Sequence, residues 1–244
     1  MIQLNKVSVA YNNGKLIALY PITIEFHRGE FTVLLGTSGA GKTTLLRSIN
    51  LLNIPTSGEV SVAGVRIDNA QVLRNHRRNT AMIFQQHQLI GRQNALRNVL
   101  AGRLGYYSSL RSLLPMREED RRRALHCLER VGLLEKALER VDCLSGGQQQ
   151  RVGIARALVQ QPKVMLADEP VASLDPARAH EVMSLLQRIC AEDGITIVVS
   201  LHQVELAKAY AQRIVALAEG RVIFDGRVNE FNADISREIY QRQD

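Results

Sequence analysis

Gly36-Thr37-Ser38-Gly39-Ala40-Gly41-Lys42-Thr43-Thr44 decides how the rest of this chain is read. The stretch matches the pattern GxxxxGK[ST] in full. Phe31-Thr32-Val33-Leu34-Leu35, just before it, is nearly continuous apolar sequence and predicts a buried parallel strand. A helix should begin near Lys42 and run through Leu45, Leu46 and Ile49. Strand, loop and helix in that order form a phosphate cradle. Backbone N–H groups turn inward without a Cβ in the way, and the helix adds its positive N-terminal end. Gly36, Ser38, Gly39, Ala40 and Gly41 therefore read as the cradle. Lys42 is set to neutralise β- and γ-phosphates, Thr43 to ligate Mg²⁺, and Thr44 to reach an α-phosphate.

Outward from the loop, the chain reads as α/β. Ile2 to Val9 alternates apolar and polar residues, as a half-buried strand does, and Ile22–Phe26 reads as a second strand before a turn at His27–Glu30. Pro55-Thr56-Ser57-Gly58 ends the first helix, and Glu59 to Ile67 resembles a hairpin around Gly64. Thr80–Phe84, Lys163–Ala167 and Ile195–Ser200 are short apolar runs suited to buried strands, with a helix through Val182, Leu185, Leu186 and Ile189 between the last two. Strands alternating with helices predict a parallel sheet with right-handed crossovers. From about Gln88 to Val141 the chain turns polar, Arg-rich and helical. Ala124, Leu125, Leu128 and Val131 share one helical face, which points to a helical subdomain inserted into the sheet domain.

Two further motifs carry chemistry. Val164-Met165-Leu166-Ala167 ends in Asp168 and Glu169. A carboxylate pair at the end of a buried strand suits Mg²⁺ binding through water by Asp168, and activation of an attacking water by Glu169 as general base. Leu144-Ser145-Gly146-Gly147-Gln148 opens another helix. Ser145 is a good N-cap, and Gly146-Gly147 leaves backbone N–H groups bare, so this is a second anion site.

Composition narrows the class. No apolar run reaches the roughly 20 residues a membrane-spanning helix needs. Met1–Lys6 lacks the charged-then-apolar layout of a signal peptide. Cys127, Cys143 and Cys190 lie far apart without CxxC spacing, which suits neither a zinc site nor a disulfide framework and fits a reducing compartment. The formal charge of +7 gathers in the span from Arg74 to Arg123. That span could face an anionic surface or nucleic acid. It carries no interleaved aromatic platform for single strands, and a solvated helical face is the plainer reading.

The three motifs in this order resemble the ATP-binding cassette (ABC) ATPases over nearly the whole chain. The resemblance implies a P-loop NTPase core of the RecA-like type with an antiparallel β subdomain and an inserted helical signature subdomain. The core and β subdomain would span 1–86 and 152–244, and the helical subdomain 87–151. It implies ATP and Mg²⁺ as ligands. By resemblance Gln85 is the switch glutamine near Mg²⁺, His202 the γ-phosphate switch histidine, Asp175 part of the loop crossing the dimer interface, and Tyr11 the aromatic that stacks on adenine. Two copies would pack head to tail, so that Ser145, Gly146 and Gly147 of one cap the γ-phosphate held by the other while Gln148 approaches the ribose.

Within the family the chain looks similar to phosphonate-importer ATPase subunits. The residues carrying this are Ala101–Gly105, Leu110–Leu114, Leu144–Ala157, Leu166–Pro176 and Leu201–Glu205. That implies a peripheral subunit on the cytoplasmic face of the inner membrane, docked under integral-membrane permease subunits and served indirectly by an extracytoplasmic binding protein. The permease helix is expected near Gln85 and Leu89–Val99, and no nucleic-acid partner is expected. Exporter or lipoprotein-extraction ATPases share the cassette, as do nucleic-acid-associated ones. The latter usually carry two cassettes or a long coiled-coil insertion, which this chain lacks.

Overall fold

A computed structural model describes residues 1–12, 14–85, 88–108, 111 and 115–241. Gln86 and His87, where the helical insertion was expected to begin, lie outside the described residues, as do Leu110, Ser112, Leu113 and Leu114 from the subfamily resemblance.

Two sheets organise the chain. The larger has six strands: β3 (Phe31–Leu35), β6 (Thr80–Ile83), β7 (Val164–Asp168), β8 (Thr196–Leu201), β9 (Arg213–Ala218) and β10 (Arg221–Arg227). Their spatial order is β10-β9-β3-β8-β7-β6. β9, β3, β8, β7 and β6 run parallel, and β10 returns antiparallel along the edge. Both faces are covered. Val33, Ile197, Val199, Met165 and Ala167 pack into one core, while Leu34, Val198 and Leu166 pack into the other. Burial on both faces is why these strands read as unbroken apolar runs.

The second sheet has the order β2-β1-β4-β5, built from β1 (Ile2–Tyr11), β2 (Leu16–Phe26), β4 (Ser57–Val62) and β5 (Val65–Arg66). β2 begins earlier than the sequence reading placed it. Pro21 lies inside it, and the strand tolerates that residue because it pairs with β1 alone, at the sheet edge. The β4–β5 hairpin turns on Ala63 (φ 51°) and Gly64 (φ 79°), the two positive angles of a tight primed turn.

Helices fill the rest: α1 (Lys42–Ile49), α2 (Ala70–Asn79), α3 (Ala95–Leu100), α4 (Glu118–Arg130), α5 (Gly146–Leu158), α6 (Pro176–Asp193), α7 (Val204–Tyr210) and α8 (Ala233–Gln241). α3, α4 and α5 share one core through Ala95, Val99, Ala124, Leu128, Val152 and Ala155. Much of the Arg-rich span is engaged here. Arg103 is buried and ion-paired to Asp120 at 2.9 Å, while Arg122 and Arg123 pair with Glu118 and Glu119 one turn away. All three cysteines are free. Cys127 and Cys190 are buried, which pushes each thiol up to about 11, whereas Cys143 is exposed. Among the described residues no helix is long and apolar enough to cross a membrane.

Candidate functional site

The parallel strands all deliver their carboxyl ends to one edge of the sheet. β3 runs into the glycine loop, β7 into Asp168 and Glu169, β8 into His202, and β6 toward Gln85. Because β3, β8, β7 and β6 are neighbours in space, four segments scattered through the sequence meet there. They form a polar cleft of about 290 Å³ lined by Ala18, Ser38, Gly39, Ala40, Gly41, Lys42, Thr43, Thr44, Gln85, Glu169 and His202.

Close packing shapes the loop. Gly41, the N-cap of α1, has φ 102°, and a Cβ there would meet Leu19 Cδ2 at 2.8 Å and the Ala18 carbonyl at 2.9 Å. A Cβ on Gly36 would meet the Leu217 carbonyl at 2.5 Å. Glycine is therefore required at both positions, and the loop backbone rather than side chains lines the cradle. The Ala40 carbonyl accepts from Gly220 N–H at 3.1 Å, which ties the loop to the β9–β10 turn.

Lys42 is buried, and its Nζ donates to the carbonyls of Gly36 (2.8 Å) and Thr37 (2.9 Å). Burial pulls its ammonium down to about 8, against the opposing pull of Glu169 and Asp168. The Thr43 hydroxyl donates to Asp168 Oδ1 at 2.8 Å. Glu169 has both carboxylate oxygens engaged: Gln85 Nε2 donates to Oε2 at 3.1 Å, and His202 Nε2 is hydrogen-bonded to Oε1. On its other side, His202 Nδ1 lies 3.0 Å from the Gly36 carbonyl and 3.2 Å from Lys42 Nζ. Gln85, Glu169, His202 and the glycine loop are thus joined in one polar network.

Two features were not read from the sequence. Glu169 sits at φ 48°, a left-handed backbone that a non-glycine residue adopts at a cost of about 1–3 kcal/mol. Ser200, fully buried on β8, holds that geometry. Its Oγ accepts from Glu169 N–H at 2.9 Å and donates to Asp168 Oδ1 at 3.0 Å. The available signal was a hydroxyl interrupting the apolar run of β8 two residues before His202. Ser200→Ala should orphan the Glu169 N–H and lower stability by about 1–3 kcal/mol. It should also slow turnover roughly tenfold by releasing the carboxylate pair. Urea unfolding and steady-state hydrolysis check the two effects separately.

The remaining candidates lie outside the cleft. Ser145 caps α5 as expected: its Oγ accepts from Gln148 N–H, and the Gln148 side chain returns to Ser145 N–H at 2.9 Å, a closed capping box. Gln148 is therefore turned onto its own helix end in this chain. Gly146 and Gly147 form the first turn beside it. Asp175 caps α6, accepting from Arg178 N–H at 3.1 Å, and pairs with the Arg178 guanidinium. Tyr11, at the end of β1, is 40% exposed and accepts from Asn53 Nδ2 at 2.8 Å.

Among the described residues no cluster of three His, Cys, Asp or Glu forms an all-protein metal cage. The hydroxyl and carboxylate of Thr43 and Asp168 fit a different arrangement, in which one or two hard oxygen donors share an ion with phosphate oxygens and water. That is the habit of Mg²⁺.

The chain is similar to known proteins over most of its length. The ABC transporter family profile matches residues 19–172. The phosphonates import ATP-binding protein PhnC 1 of Trichodesmium erythraeum is 60% identical over 242 residues, covering 99% of this chain and 96% of that protein. The phosphite import ATP-binding protein PxtA of Stutzerimonas stutzeri is 56% identical over 98% of this chain and 87% of its own length. A dimeric ATP-binding cassette solved in a post-hydrolysis state with ADP and Pi superposes with a TM-score of 0.81. It shares 36% identity, covering 95% of this chain and all of that one.

Proposed function

The chain belongs to the ABC transporter family, and from that premise we propose that it is the ATP-hydrolysing subunit of an importer for phosphonates or a related phosphorus oxyanion such as phosphite. The observation carrying the chemical half is the convergence of Lys42, Glu169, His202 and Gln85 on one cleft at the sheet edge. The near-full-length similarity to phosphonate and phosphite import subunits carries the substrate half.

In this reading, the loop amides and Lys42 bind the β- and γ-phosphates of ATP, with the N-terminus of α1 behind them. Thr43, Asp168 and Gln85 would hold Mg²⁺, which supplies charge neutralisation on the transferring phosphoryl group. Glu169 orients a water and withdraws its proton, and Ser200 fixes the backbone from which that carboxylate projects. His202 spans Glu169 and the loop carbonyl, so it registers whether a γ-phosphate is present.

The cleft is one half of the site. Ser145, Gly146, Gly147 and Gln148 do not line it, and a facing second copy brings its own set over the γ-phosphate, with Asp175 at the seam. Ser145→Ala should cost about 1 kcal/mol of stability through the lost cap. It should slow hydrolysis far more than it weakens ATP binding by the single chain. Comparing equilibrium nucleotide binding with turnover tests this, and total loss of binding by the isolated chain would contradict it.

The division into a core (1–86 and 152–244) and a helical insertion (87–151) follows the same reading. Integral-membrane permease subunits dock in the groove beside Gln85, lined in part by Leu52, Arg77, Met82, Phe84 and Gln88. Leu52, Ile54 and Ile90 add exposed apolar surface for them. The chain then sits peripherally on the cytoplasmic face of the membrane, with an extracytoplasmic binding protein choosing the cargo. Co-purification with the products of adjacent genes, followed by ATPase assays in vesicles with methylphosphonate, phosphite or phosphate, tests the substrate class. Equal stimulation by unrelated solutes such as sugars would overturn it.

A further inference from the structure

His202 is held from outside the cleft as well as within it. α8 packs near the chain's end with Ile239 buried and Ile235 packed against the larger core. From this helix Tyr240 donates its hydroxyl to the main-chain carbonyl of His202 at 2.5 Å. The bonded peptide lies at the junction between β8 and α7, and Gln203, the N-cap of α7, contributes no side-chain cap. The junction therefore has little local bracing of its own. On the other side of the same residue the imidazole bridges Gly36 and Glu169. One residue thus joins the C-terminal helix to the catalytic carboxylate through a short covalent path.

We propose that Tyr240 is a positioning residue for ATP hydrolysis, fixing the His202 backbone so that its imidazole keeps its register between the Gly36 carbonyl and Glu169. This rests on the cleft being the ATP site. The hydroxyl has no route to the nucleotide itself, since Tyr240 is absent from the cleft lining. Burial raises its pKa above the ordinary tyrosine range, so the phenol remains a hydrogen-bond donor at neutral pH. A donor bound to a peptide carbonyl limits rotation of that peptide, and imidazole direction follows from it. The effect belongs to the step in which His202 and Glu169 act, not to nucleotide capture, which the loop and Lys42 perform.

Tyr240→Phe isolates the hydroxyl. The ring, about one-third exposed, keeps its packing. In the full-length chain assayed beside wild type, kcat for ATP should fall about three- to tenfold, the range set by loss of one such hydrogen bond. KM for ATP should stay within about twofold, because ground-state binding is untouched. The midpoint of thermal unfolding should fall by no more than about 6 °C, the loss set by one hydrogen bond. An unchanged kcat overturns the proposal. So does a loss of kcat accompanied by an unfolding midpoint lowered beyond that range, which would mark a merely structural bond, or a change confined to KM. If wild type itself hydrolyses no ATP, the ATPase reading fails and this inference falls with it. If wild type is active and the variant equals it, only the inference fails.

Discussion

Glu169→Gln should hydrolyse ATP on the order of 10²–10⁴-fold more slowly than wild type while still binding it, the loss expected when a general base is removed. The substitution keeps side-chain length and leaves an amide within reach of Gln85 and His202. What disappears is the charge proposed to withdraw a proton from water. Because phosphate contacts are intact and product forms slowly, the variant should accumulate as an ATP-bound pair. Size-exclusion chromatography with and without ATP, read beside a phosphate-release assay, checks both halves. Turnover near that of wild type would remove Glu169 as the base. A silent enzyme that stays monomeric with ATP would place the defect in nucleotide capture instead.

Lys42→Ala should weaken ATP binding on the order of 100- to 1,000-fold. The ammonium is buried and points at the loop rather than at solvent. Charge-assisted hydrogen bonds contribute about 1.5–3 kcal/mol each, and Lys42 is placed to make more than one to phosphate oxygens. A pH signature accompanies the loss. In the free chain burial holds this group down to about 8. Phosphate anions favour the charged form and lift its pKa on binding. Above pH 8 nucleotide binding must therefore take up a proton, and affinity falls as pH rises through that range. Calorimetry in buffers of different ionisation enthalpy detects this uptake, and Lys42→Ala should abolish it. Normal affinity in the variant would contradict the phosphate role.

The site was legible where chemistry is written contiguously. Phe31–Thr44 specifies a strand, a cradle and the start of a helix in one run, and Asp168-Glu169 follows a short apolar run that suits a buried strand. The convergence of these pieces was not written locally, because it depends on β3, β8, β7 and β6 being neighbours, an order the sequence does not spell out. Ser200 escaped notice for a related reason. A serine inside an apolar run looks like tolerated polarity until β7 lies beside it and supplies Asp168 as its acceptor. α2 was missed because its ten residues are mostly polar and only His76 is buried, so no apolar stripe announces it. The first half of β2 was hidden by Pro21, a residue that argues against a strand unless that strand is known to lie at an edge. Tyr240 was invisible because the bond it makes crosses 38 residues to a backbone atom, for which no side-chain pattern exists.

The three thiols are chemically unequal. Two are buried and resist ionisation; the third lies in the open two positions ahead of Ser145. A maleimide dye at neutral pH reacts with thiolate that solvent can reach. The native polypeptide thus offers a single labelling address, at the rim where twin molecules would meet. Fluorescence from that address would report whether a second copy closes over α5, as proposed, with no engineered cysteine.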